Sequence, residues 1–144
     1  MKTFPIFLVG LAILIFASGC AGPTELSIEN PWARPGFKGD NSAVYLVINN
    51  STDQGDGLIG ASSDVANITE IHLSKMDVEG TMTMEHQDLV GIPANEVVEL
   101  APGGLHVMLV DLVKDLDVGD TFDLILEFQR AGDIEVEVEV TQPE

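Results

Sequence analysis

Along most of the chain, apolar and polar residues alternate with a period of two rather than 3.6. That period belongs to strands whose side chains point by turns to a core and to solvent. From Ile134 to Val140, Ile134, Val136, Val138 and Val140 alternate with Glu135, Glu137 and Glu139. This predicts a half-buried antiparallel strand with its aliphatic side chains inward. Thr121 to Phe128 places Phe122, Leu124, Leu126 and Phe128 on one face, and Gln129-Arg130-Ala131-Gly132-Asp133 supplies a hairpin loop between the two. Ala43 to Ile48 is almost continuously apolar, which predicts a strand covered on both faces, ended by the turn signal Asn49-Asn50-Ser51. Leu58-Ile59-Gly60, Ile68–Leu73, Thr81–His86 and Leu105–Leu112 read as further strands, and Asp64 to Ile68 as a single helical turn. Turn clusters recur at Pro35-Gly36, Glu79-Gly80, Pro93 to Asn95, Pro102-Gly103-Gly104 and Val118-Gly119-Asp120. Short strands at this spacing predict one all-β domain, a Greek-key β-sandwich or barrel.

The first residues break the pattern. Lys2 is followed by an apolar run from Phe4 to Ser18, then Gly19 and Cys20. A basic start, an apolar stretch and small residues make a secretory signal, and the run is shorter than the roughly 20 residues a spanning helix needs. Ala17-Ser18-Gly19-Cys20 resembles a bacterial lipobox, with Ala17 where Leu is more usual. This predicts a lipoprotein-type signal peptide over 1–19, lipidation of Cys20, a lipidated tether over 20–28 and a folded domain over 29–142. Acyl chains on Cys20 would hold the protein to a membrane outside the cytoplasm.

Composition narrows the function. The 144 residues carry 24 acids against 6 bases, a net charge of −18. Cleavage at Cys20 removes Lys2 and leaves −19. Nucleic acid demands clustered Lys and Arg, so it is excluded as a partner. The single cysteine permits no internal disulfide and no multi-cysteine metal site. Once lipidated, it would leave the domain without a thiolate, which a blue-copper centre requires.

The chemistry-bearing residues are few and local. His72, Met76, Met82, Met84, His86, His106 and Met108 are all the histidines and methionines after Cys20. Period two sets His106 and Met108 on one strand face, and Met82, Met84 and His86 on another. Thioether and imidazole without carboxylate or thiolate select copper, chiefly Cu(I). Other chemistry finds less support. Asp115, Asp117 and Asp120 lack the glycine and glutamate of a calcium-binding EF-hand loop and read as a solvated turn. Ser62-Ser63-Asp64 lacks a nucleophile elbow, so no enzyme activity is expected. Trp32 reads as a core residue.

The run His72, Met84, His106-Val107-Met108 resembles the motif of the PCuAC (DUF461) family of periplasmic copper chaperones, His, ten residues, Met, twenty-one residues, His-x-Met. Here 21 residues separate Met84 from His106 and 11 separate His72 from Met84. The extra residue falls in the Ser74 to Gly80 turn and leaves Met82 and Met84 both open as ligands, with the second spacing favouring Met84. Pro31-Trp32-Ala33-Arg34, Ser42 to Leu46, Glu70-Ile71-His72 and Leu100 to Leu109 extend the similarity over roughly Asn30 to Val140. The resemblance implies a cupredoxin-like sandwich that binds Cu(I) near its surface through His72, Met84, His106 and Met108. Met76, Met82 and His86 stand as candidate auxiliary donors, His86 also as a candidate Cu(II) ligand, and an exposed loop or strand residue is the favoured alternative for Met76 and His86. It further implies an extracytoplasmic metallochaperone that hands copper to the CuA subunit of cytochrome c oxidase, alongside a Sco-type protein. The alternatives are a copper-sequestering or resistance lipoprotein and a metal-free structural β-sandwich lipoprotein.

Overall fold

The computed structural model describes residues 25–142. The signal segment and Cys20 lie outside the described residues. Ten strands follow in order: β1 (Leu26–Ala33), β2 (Ser42–Asn50), β3 (Asp56–Ser62), β4 (Ala66–Met76), β5 (Met82–His86), β6 (Val90–Ile92), β7 (Glu96–Leu100), β8 (Leu105–Leu112), β9 (Thr121–Phe128) and β10 (Gly132–Val140). Hydrogen bonds link them in the order β5-β4-β8-β2-β1-β10-β9-β3-β6, with β7 also paired to β2. Among the described residues only β1 and β10 run parallel.

The strand β2 organises this path. One edge pairs with β1, while along the other Ser42–Val44 pair with β8 and Leu46–Asn50 with β7. Its Val44, Leu46 and Ile48 meet Ile71, Val107, Leu124, Leu126 and Val138 in one aliphatic core. Side chains from β2, β4 and β8 therefore pack against those from β3, β9 and β10, which is sandwich packing around a single core. The expected inward faces of β9 and β10 hold. Phe122, Leu124, Leu126 and Phe128 are buried, as are Val138 and Val140, and Glu135, Glu137 and Glu139 are exposed.

Some expectations change. β1 begins at Leu26 and pairs Leu26, Ser27 and Ile28 with Asn50, Asn49 and Ile48, so the strand takes in the end of the expected tether. Its pattern is hard to read because Asn30 adopts φ 50° and the register shifts between Glu29 and Trp32, a bulge that breaks the alternation. Trp32 is half-buried and outside the core, lying against the Tyr45 ring at 4.6 Å between centroids. No helical turn forms at Asp64 to Ile68. Asp64 and Val65 turn and Ala66 already begins β4, because the β8 ladder claims Ala66 and Ile68. The acids after β8 serve the loops: Asp115 accepts the Lys38 backbone N–H at 2.8 Å, and Asp120 that of Asp117 at 2.9 Å.

Candidate metal centre

The register of β5, β4 and β8 aligns the three histidines. His86 stands opposite His72, and His72 opposite His106. Directly opposed residues share a sheet face. The alternate residues Ile71 and Val107 are buried in the core, so the histidines occupy the other face. The His72 ring lies 5.8 Å from His86 and 5.9 Å from His106 between centroids, edge-on to both. Glu70 and Met108 are opposed on one side of this row, and Ser74 and Met84 on the other, with Met76 and Met82 beyond.

Hydrogen bonds sort the ring nitrogens. His106 is 3 % exposed, and its Nδ1 lies 3.2 Å from the Gly104 carbonyl oxygen. A carbonyl only accepts, so Nδ1 carries the proton and Nε2 keeps the lone pair. His72 Nε2 lies 2.9 Å from the Glu70 carboxylate. In neutral His72 that contact sets the proton on Nε2 and the lone pair on Nδ1, which is buried with no hydrogen-bond partner among the described residues. A buried lone pair without a donor is costly, and a soft cation would relieve that cost. Burial pushes the His106 imidazole below its ordinary proton affinity, and the neighbouring His72 and Arg34 act in the same direction against the Gly104 hydrogen bond. A ligand that stays neutral is ready for metal without first losing a proton.

The thioethers meet His106 in a surface cavity of about 310 Å³. Met82, Met84, Met108 and His106 line it together with Arg34 and Tyr45. His72 flanks this group through its ring contact with His106. Met82 and Met84 are 51 % and 55 % exposed, so the site opens to solvent on the β5 side. The turn Pro102-Gly103-Gly104 leads into β8, with Gly103 at φ 83°, a conformation glycine adopts without strain. The Gly104 oxygen also accepts the Ser74 N–H at 3.0 Å, tying this turn to β4. Met76, 67 % exposed, does not line the cavity. His86 stands on the β5 edge with Nε2 3.2 Å from Asp88.

Three further neighbours complete the surroundings, and the His and Met pattern of the sequence does not mark them. Glu70 sits two residues before His72, a spacing that puts both on one strand face. Tyr45 is buried with its ring 6.3 Å from that of His106, and the Arg34 guanidinium lies 5.4 Å from the Tyr45 centroid. Burial raises the Tyr45 phenol above its ordinary value, with Arg34 opposing, so it stays protonated.

This donor set suits a soft monovalent cation. Two imidazoles and thioethers carry no charge, and thioether sulfur favours Cu(I) over Zn(II), Mg(II) or Ca(II). Comparison with known proteins gives the same context. A protein of Rickettsia prowazekii, RP573, is 33 % identical over 113 residues, which cover 74 % of this chain and 62 % of the relative. The chain thus spans less than two thirds of that relative's length. The copper-bound PCuAC domain from PmoF2 superimposes with a TM-score of 0.69 at 31 % identity, over 83 % of this chain and 94 % of that domain. The CuI-DR1885 solution structure from Deinococcus radiodurans gives 0.64 at 26 % identity, over 87 % of this chain and 85 % of that one. The fold is that of the cupredoxin-like PCuAC domains. A family model described as "Putative lipoprotein LpqE-like" matches residues 26–140, and the chain belongs to this LpqE-like family.

Proposed function

We propose that this protein is an extracytoplasmic, lipid-anchored copper chaperone that carries Cu(I) on His72, Met84, His106 and Met108. The observation that supports it most is the meeting of His106 with Met84 and Met108 around one open cavity, beside a His72 whose Nδ1 is buried and unpaired. The copper-bound and Cu(I)-bound neighbours supply the same cargo. Copper here is what the protein transports, and the chain performs no turnover on it. Imidazole and thioether bind Cu(I) without proton release, and an exposed methionine side lets an acceptor thiolate or imidazole add before the donor's ligands leave. Met82 lines the cavity too and acts as an auxiliary donor during such exchange.

The anchor is Cys20, after removal of 1–19, in keeping with the lipoprotein family match. The recipient is the CuA subunit of cytochrome oxidase, with a Sco-type protein as partner. The test is a Cu(I) titration of the mature chain against a chromophoric chelator. One equivalent should bind, and Met84→Leu with Met108→Leu should weaken binding at least tenfold. Stoichiometry near zero would overturn the reading. Transfer from the loaded chain to an apo CuA domain tests delivery, and retained copper with no transfer would point to sequestration instead.

A further inference from the structure

Glu70, His72 and His86 form a second donor group beside the methionine-lined cavity. One ligand atom from each lies within 4.8 Å of the others. Two of them come from adjacent strands at directly opposed positions, and Glu70 is two residues from His72 on the same face. The group is half-open: Glu70 and His72 are partly buried and His86 is exposed. Its chemistry differs from that of the cavity. Two imidazoles and a carboxylate are borderline and hard donors, the set that holds a divalent cation such as Zn(II) with a fourth position free. Asp88 lies 3.2 Å from His86 Nε2, an outer carboxylate of the kind that orients metal-ligating histidines.

We propose that Glu70, His72 and His86 bind a borderline divalent cation, and that this binding competes with Cu(I) because the two sets share His72. A neutral imidazole has one lone pair. With the proton on Nε2, facing Glu70, the free lone pair is on the buried Nδ1. A cation held between Glu70 and His72 takes the Nε2 lone pair, and the proton moves to Nδ1. His72 is then withdrawn from the Cu(I) set. The carboxylate supplies the charge that a divalent ion needs and a monovalent one does not, so the same ring can sort cations by charge.

The divalent group stands without the Cu(I) reading, whereas its competition with Cu(I) rests on that reading, and the experiment separates the two. Zn(II) is the probe, since it has no redox chemistry. The mature chain is titrated with Zn(II) against a chelating dye, in wild type and in Glu70→Gln, His86→Gln and Met84→Leu/Met108→Leu variants, each checked for unchanged thermal unfolding. One equivalent should bind in wild type. Glu70→Gln and His86→Gln should each weaken it at least tenfold, and the double methionine variant should leave it within twofold. Zn(II) at saturating concentration should also raise the apparent Cu(I) dissociation constant at least fivefold in wild type and not in His86→Gln. Zn(II) binding that survives both Glu70→Gln and His86→Gln would assign it to surface carboxylates and overturn the site. Cu(I) affinity unmoved by bound Zn(II) would overturn the shared histidine.

Discussion

A ring nitrogen is useful to a metal only if its lone pair is free, and the contacts of His106 and His72 decide which one is. At His106 the Gly104 oxygen holds the proton on Nδ1. Burial also lowers its proton affinity below the ordinary value of 6.5. The sign of the consequence follows from linkage. The unfolded chain takes up this proton more readily than the folded one, so neutral His106 contributes stability above about 6.5 that is lost as pH falls through the lower folded value. Urea unfolding of the metal-free chain at pH 7.5 and 5.0 should show a fall that is smaller in His106→Gln, and equal falls would contradict it. At the methionines the expected order is graded. Met84→Leu removes a proposed ligand and should weaken Cu(I) tenfold or more, whereas Met82→Leu, which keeps the cavity wall and removes a proposed auxiliary donor, should change it less than threefold. Chelator competition on the two variants checks this. The reverse order would move the ligand to Met82, the alternative that the 11-residue spacing from His72 leaves open.

Single elements show why some of the fold could be read in the chain and some could not. Alternation in β9 and β10 is explicit because each inward residue is aliphatic or Phe and most outward ones are acidic. β7, Glu96–Leu100, was not expected, since its adjacent valines break the alternation and only pairing with β2 organises it. The histidine row was half legible. Period two placed His106 with Met108, and His86 with Met84, but the register that sets His86 beside His72 is a property of two strands and of the turn between them. The end of β2 shows how such turns are fixed. Buried Asn50 donates from Nδ2 to the Gln54 oxygen at 2.9 Å and the Pro93 oxygen at 3.0 Å. Its Oδ1 accepts from Thr52 N and Thr52 Oγ1 at 3.1 and 2.7 Å. One side chain thus joins the β2–β3 loop to the loop between β6 and β7. Asn50→Ala strands these groups and should destabilise by about 2–4 kcal/mol, since each buried unsatisfied group costs about 1–3 kcal/mol. Denaturant unfolding measures it, and a change under 0.5 kcal/mol would show that the loops hold themselves.

At the scale of the whole molecule, the core and the candidate site occupy opposite faces of β4 and β8. Ile71 and Val107 point into the aliphatic core, and His72, His106 and Met108 point away from it. Methionine variants at the site should therefore leave the metal-free fold nearly untouched, which makes metal-linked stability a clean readout. Charge modulates the same fold: Glu137 faces Asp123 and Asp133 faces Glu127 across β9 and β10, in a chain of net charge −18. Like charges directly opposed are unfavourable by some tenths of a kcal/mol. Raising NaCl from about 0.05 to 0.5 M shortens the Debye length to a few ångströms and should raise Tm by a few degrees. Thermal scans at the two salt levels test it, and an unchanged or lower Tm would mean that these pairs carry no net repulsion. Metal linkage is larger. A ligand at 100 times its Kd stabilises the native state by about 2.7 kcal/mol, and each kcal/mol shifts Tm by roughly 3–5 °C in a domain of this size. Saturating Cu(I), under reductant and at fixed salt, should therefore raise Tm by roughly 10 °C in wild type. Met84→Leu/Met108→Leu should begin within about 2 °C of the wild-type apo value and gain less than a third of that shift, since only the proposed ligands have changed and the core has not. If the variant instead melts early without metal, the two faces are coupled and the methionines belong to the packing. If it gains the full shift, Cu(I) sits elsewhere.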